Sequence, residues 1–148
     1  MDAAAPSDAQ GRSYASADAG WAQARREALA AGAAALAARF DAGADATRLA
    51  AERARAVDAV VAEAWQRCVP QESALSLFAV GGYGRGGLFP HSDIDLLVLA
   101  AREPDGAAEA VLARFFALLW DAGLPASHAV RTPAQCTAAA ADISVMTA

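Results

Sequence analysis

Two acids and a pair of glycines hold most of the chemistry this chain can perform. Gly81 and Gly82 open the run Gly81-Gly82-Tyr83-Gly84-Arg85-Gly86-Gly87, and Ser92-Asp93-Ile94-Asp95 follows it. Side chains alternate across an extended chain, so Asp93 and Asp95 fall on one face. Their backbones are roughly 7 Å apart. Both carboxylates can then lean toward one divalent cation, or toward two cations about 3.5–4 Å apart. Without a cation the two acids repel each other. Magnesium, a hard ion that prefers oxygen and keeps some of its water, is the expected occupant. Glycine lets a ligand approach the main chain closely, and the N–H groups of such a turn can converge on a phosphate. Ser92 can add a hydroxyl donor to a phosphate oxygen, and Arg85 a planar guanidinium fork. Each feature alone has an ordinary reading: a solvated strand end, a tight turn, a surface arginine. Flanked by apolar strands, together they point to metal-dependent nucleotide chemistry.

The elements that must position these groups are readable nearby. Leu75–Val80 is a short apolar run bounded by Pro70 and the glycines, and is expected to be a buried strand. A short helix is expected near Tyr83–Leu88, weakened by its glycines. Pro90 forces Phe89 to be extended, and a second strand then carries Asp93 and Asp95. Upstream, residues 1–19 offer little to bury and are expected to be a flexible tail. Residues 20–69 form a helical segment. Trp21–Phe40 is one helix, with Leu29, Leu36 and Phe40 on a common stripe. Asp45 caps a second helix reaching about Cys68, which buries Val57, Val60, Val61, Ala64, Trp65 and Cys68. Arg48, Glu52, Arg55 and Arg67 fall on its solvated side. Downstream, Asp105 caps a helix whose Val111, Leu112, Phe115, Phe116, Leu119 and Trp120 pack on the sheet, and Gly123 ends it. Ala126–Thr132 is a third strand. Pro133 opens a short helix or loop reaching Ala141. Asp142 precedes an apolar run and suits a helix cap. The expected fold is α+β: a small mixed sheet flanked by helices, with residues 70–148 as an incomplete core.

Composition narrows the partners. The chain has 148 residues, 56% hydrophobic and 20% charged, and much of the apolar share is alanine. All twelve basic residues are arginine, and the formal charge is −5. That balance argues against a broad nucleic-acid-binding surface, which is normally basic. Cys68 and Cys136 lack metal-ligand spacing and read as free thiols. No stretch suits a bilayer or a secretory signal, so a cytoplasmic location is expected.

Gly-Gly followed after a short gap by Ser-Asp-x-Asp resembles the signature of the polymerase-beta-like nucleotidyltransferase superfamily. The longer string Gly81–Leu97 resembles one branch, the bacterial PII uridylyltransferase/uridylyl-removing enzymes. Arg53–Asp58, Leu118–Leu124, His128–Cys136 and Asp142–Thr147 resemble flanking segments of that branch. The resemblance spans roughly residues 20–148. It implies transfer of a uridylyl group from UTP to a tyrosine of the PII nitrogen-regulatory protein, with pyrophosphate released and magnesium as cofactor. It also implies that the chain is an amino-terminal piece of a longer enzyme, whose uridylyl-removing domain lies elsewhere. Gly87 departs from the pattern, where relatives often carry an acid.

The superfamily usually places a third carboxylate on the strand after the intervening helix. Here that strand offers Ser127, His128 and Arg131 but no acid. Two acids suffice, or Asp142 substitutes. His128 can contact a phosphate or help a proton leave, or it can be structural. Two other functions stay open: an adenylyltransferase of the glutamine synthetase type or another small nucleotidyltransferase, and a non-catalytic nucleotide-binding or regulatory fragment.

Overall fold

The protein, seen in a computed structural model, is described over residues 8–146, with side chains over 14–141. Its elements run α1 (Asp8–Asp41), α2 (Ala46–Cys68), β1 (Leu75–Val80), α3 (Gly81–Gly84), β2 (Ile94–Ala100), α4 (Gly106–Asp121), β3 (Ala126–Arg131) and α5 (Pro133–Met146). The three strands make one mixed sheet in the order β1-β2-β3. β1 lies antiparallel to β2, and β2 lies parallel to β3. A parallel neighbour needs a crossover, and α4 supplies it. The α+β expectation holds.

The local signals explain most boundaries. Asp45 accepts from the Arg48 N–H at 2.8 Å and starts α2. Asp105 does the same for α4 through the Ala108 N–H, also at 2.8 Å. Each satisfies an amide that the helix cannot pair itself. Gly123, left-handed at φ 83°, ends α4.

The core lies between the helices and one face of the sheet. Val57, Val60, Val61 and Ala64 of α2 cluster with Ile94 and Leu96 of β2 and with Phe115 and Leu119 of α4. Trp65 meets Phe115 edge to face, with centroids 5.1 Å apart. Along β2, Ile94, Leu96, Val98 and Ala100 are buried, whereas Asp95, Leu97 and Leu99 on the opposite face are half-buried.

Several expectations are corrected. The helix α1 begins at Asp8, well inside the segment expected to be a tail, and residues 1–7 of that segment lie outside the described residues. Its anchor is electrostatic. Asp18 receives the Arg114 Nε–H at 2.8 Å and Nη2–H at 3.0 Å, and Arg67 reaches it at 3.3 Å. Arg67 is therefore not simply solvated; its guanidinium also lies over the Trp21 ring at 5.4 Å. Among the described side chains of α1, only Trp21 and Ala22 are buried, and Phe40 is 58% exposed, because the last turns of α1 overhang a groove above Leu49 and Leu88. Trp120 is 66% exposed; Leu112, Phe115 and Leu119 take the inward stripe of α4 with Leu118. β1 is not a buried strand: it is an edge, and Phe78 is 47% exposed on the face turned from the helices. Downstream of β3 one continuous α5 replaces the expected break, so Asp142 lies within the helix body and cannot cap it.

Candidate active site

The glycine turn is built by backbone packing. β1 ends at Val80, which pairs with Asp95 across the antiparallel ladder. The chain then reverses through the single turn α3, shorter than the expected Tyr83–Leu88 helix because Gly86 (φ 81°) leaves the helical region. Gly81 sits at φ 63°, a left-handed conformation that costs a residue with a side chain about 1–2 kcal/mol. A Cβ there would also lie 2.8 Å from Oδ2 of Asp95. The Asp95 carboxylate therefore lies beside the main chain of the turn, and a side chain at position 81 would have to push it aside. Gly84 is confined more firmly, by main chain: a Cβ would meet the Ala79 carbonyl oxygen at 2.7 Å.

Arg85 closes this turn, its N–H donating to the Gly82 carbonyl at 3.2 Å. Its Nη2 lies 3.8 Å from where a Gly82 Cβ would be. A guanidinium thus borders the main chain expected to receive phosphate. Beyond it, Phe89–Ser92 forms a turn closed by the Ser92 N–H donating to the Phe89 carbonyl at 3.0 Å. His91 is left-handed in it, at φ 67°. The Phe89 N–H donates to Ser92 Oγ at 3.1 Å, so the serine oxygen is engaged as an acceptor while its own O–H remains a donor. Asp93 follows, exposed, immediately before β2.

The structure thus brings Gly81, Gly82, Arg85 and Asp95 to one end of the sheet, with Ser92 and Asp93 on the adjoining segment. It separates His128 from them. In the β2–β3 register His128 pairs with Leu96, on the helix-covered face, and its ring stacks on Phe116 at 3.6 Å. A phosphate or proton role beside Asp95 does not fit that placement. The residue opposite Asp95 on β3 is Ser127, exposed and uncharged. The side chain of Asp142 lies outside the described ones. Among the described residues, no group of three or more histidine, cysteine or carboxylate side chains is gathered for a metal. The donor set near the turn is two hard carboxylates, which suits a cation that retains several waters.

Two contacts at this site are not evident from the motif. Tyr83 is buried, and its hydroxyl donates to Oδ1 of Asp58 on α2. Burial, with help from the Asp58 bond, pushes the phenol well above its ordinary value. The Leu88 N–H donates to the Ala50 carbonyl, also on α2, at 3.1 Å. An aromatic residue inside a glycine-rich run was the available signal, since a turn has little use for a large apolar ring unless it is buried.

Comparison with known proteins agrees with the geometry. The Nucleotidyltransferase domain family matches residues 61–142. The bifunctional uridylyltransferase/uridylyl-removing enzyme of Xanthomonas euvesicatoria pv. vesicatoria is 59% identical over 131 residues, 88% of this chain and 15% of that enzyme. The enzyme of the same description from Xanthomonas axonopodis pv. citri is 64% identical over 110 residues, 74% of this chain and 13% of that enzyme. That from Bordetella avium is 50% identical over 101 residues, 68% and 12%. The chain spans about 15% of the length of the first of these relatives. No solved structure matches it. No helix among the described residues is long and apolar enough to cross a membrane. The matched stretch takes in the glycine turn, both acids and all three strands, and the chain belongs to the nucleotidyltransferase domain family.

Proposed function

We propose that this chain carries the uridylyl-transfer site of a PII uridylyltransferase: UTP is the donor, a tyrosine hydroxyl of the PII protein the acceptor, and magnesium the cofactor. The observation that carries the reading is the contact of the Asp95 carboxylate with left-handed Gly81. It puts a hard oxygen ligand against a main-chain turn suited to phosphate. Similarity to enzymes described as uridylyltransferases supports the choice of nucleotide.

In this reading Asp93 and Asp95 hold magnesium. When bound, the cation neutralises triphosphate charge and lowers the pKa of the acceptor hydroxyl. The Gly81–Gly82 amides and the Arg85 guanidinium hold the phosphates, and the Ser92 O–H donates to a phosphate oxygen. The tyrosine oxygen bonds to the α-phosphorus as the bond to the departing pyrophosphate breaks, and the phenolic proton leaves to solvent. Alignment and charge neutralisation supply most of the rate.

The test replaces the matching 131 residues of the Xanthomonas euvesicatoria enzyme with this chain. The chimera should transfer labelled UMP to PII with release of pyrophosphate, and Asp95→Asn should stop it without lowering the melting temperature. Transfer retained by that variant would overturn the assignment, and labelling from ATP in place of UTP would favour an adenylyltransferase. The two-carboxylate set keeps a non-catalytic nucleotide-binding role in view. Magnesium-dependent UTP binding with no pyrophosphate released would select it.

A further inference from the structure

We propose that Asp58 is a positioning residue for the glycine turn, acting through the Tyr83 hydroxyl. This inference rests on the reading of that turn as the phosphate site.

Glycine-rich main chain is intrinsically loose, and a loose turn must be ordered at the expense of affinity when a ligand binds. Here the upstream end of the turn is fixed by the pairing of Val80 with Asp95. Beyond Gly84, which packs against the Ala79 carbonyl of β1, the downstream end leaves the sheet. It is held to α2 at two points instead. Tyr83 inserts its ring into the core, 4% exposed, and donates to Asp58. Leu88, 1% exposed, donates its N–H to the Ala50 carbonyl. Eight residues of helix separate these ties, about 12 Å along α2. The segment between them, which includes Arg85, is thereby laid along a rigid rod. The Tyr83 tie is the nearer of the two to Gly81 and Gly82 and sets where their amides point. A buried phenol needs a partner in any case. What distinguishes positioning is that losing the bond should move the glycine amides and weaken nucleotide binding more than it weakens the fold.

The experiment measures three quantities on the whole chain: the affinity for UTP with magnesium, the amide resonances of Gly81 and Gly82, and the melting temperature. Tyr83→Phe keeps the ring and its packing. It should shift both glycine resonances and weaken nucleotide binding about tenfold, on the scale of one lost charge-assisted hydrogen bond. Asp58→Ala should match it, and Asp58→Asn, which keeps an oxygen acceptor, should restore most of the affinity. The double variant Asp58→Ala/Tyr83→Phe should be no worse than either single one, because both remove the same bond. Glycine resonances and affinity unchanged in Tyr83→Phe would overturn the proposal even with a lowered melting temperature. Failure of the unaltered chain to bind the nucleotide would instead count against the phosphate-site reading, and this inference would fall with it.

Discussion

The two faces of the central sheet are built to opposite ends. On one, Ile94, Leu96, Val98 and Ala100 are buried, and Ile94 and Leu96 cluster with residues of α2 and α4. On the other, the row Val80, Asp95 and Ser127 is followed by Phe78, Leu97 and Ala129, with none of these six fully buried. The same strand, β2, contributes alternate residues to each. A strand of period two can therefore carry the core and the candidate chemistry at once, and a slip of one residue would exchange them. The sealed face supplies stability and leaves the other free to carry a costly feature, a carboxylate against a left-handed glycine.

This division can be broken from either side. The largest effect should come from Asp95→Asn, on the order of a thousandfold loss in transfer rate, since it removes charge stabilisation where charge develops. Its melting temperature should stay put, and rate and calorimetry together check this. Phe115→Ala strikes the sealed face and should cost about 3–5 kcal/mol in a denaturant titration. Gly81→Ala touches both sides of the comparison. The strained φ and the clash with Asp95 should cost about 1–3 kcal/mol of stability, and magnesium-UTP affinity should fall with it. If Gly81→Ala binds nucleotide normally, the turn is not a phosphate site.

Smaller effects sharpen the contrast. The Arg114 hydrogen bond holds the Asp18 carboxyl below its ordinary 3.8, with Arg67 assisting against a desolvation penalty. A depressed carboxylate pKa contributes stability that is present above the unfolded value and is lost as pH falls through the folded one. Asp18→Asn should therefore flatten the acid limb of a stability–pH curve below about pH 4 and leave its alkaline limb alone. Least of all, Phe78→Thr on the half-open face should move stability by no more than about 0.5 kcal/mol. A loss of several kcal/mol there would mean that this face is packed after all.

How far these features were readable from sequence depends on how local their causes are. Asp45, Asp105 and Gly123 mark helix ends through bonds and angles within a few residues, and the structure keeps all three. Gly81 and Asp95 were readable because a glycine pair before an Asp-x-Asp strand is a compact pattern. Phe40, Phe78 and Trp120 were misread because apolarity records an ability to be buried, while burial depends on which neighbours arrive. The placement of His128 away from Asp95, with Ser127 opposite Asp95, has a different reason. Their faces follow from the parallel register of β3 on β2, which nothing within Ala126–Arg131 specifies. The helical start of α1 was hidden too, since its anchoring partner is an arginine on α4.

That last bond has a consequence in time. Asp18 and Arg114 lie 96 positions apart, so at ordinary translation speeds of about 5–20 residues per second the acid waits roughly 5–20 s for its arginine to be synthesised. Until then the first helix is held by its ties to α2, among them Trp21 and Arg25 on Glu63, and its seat on α4 waits for the later chain.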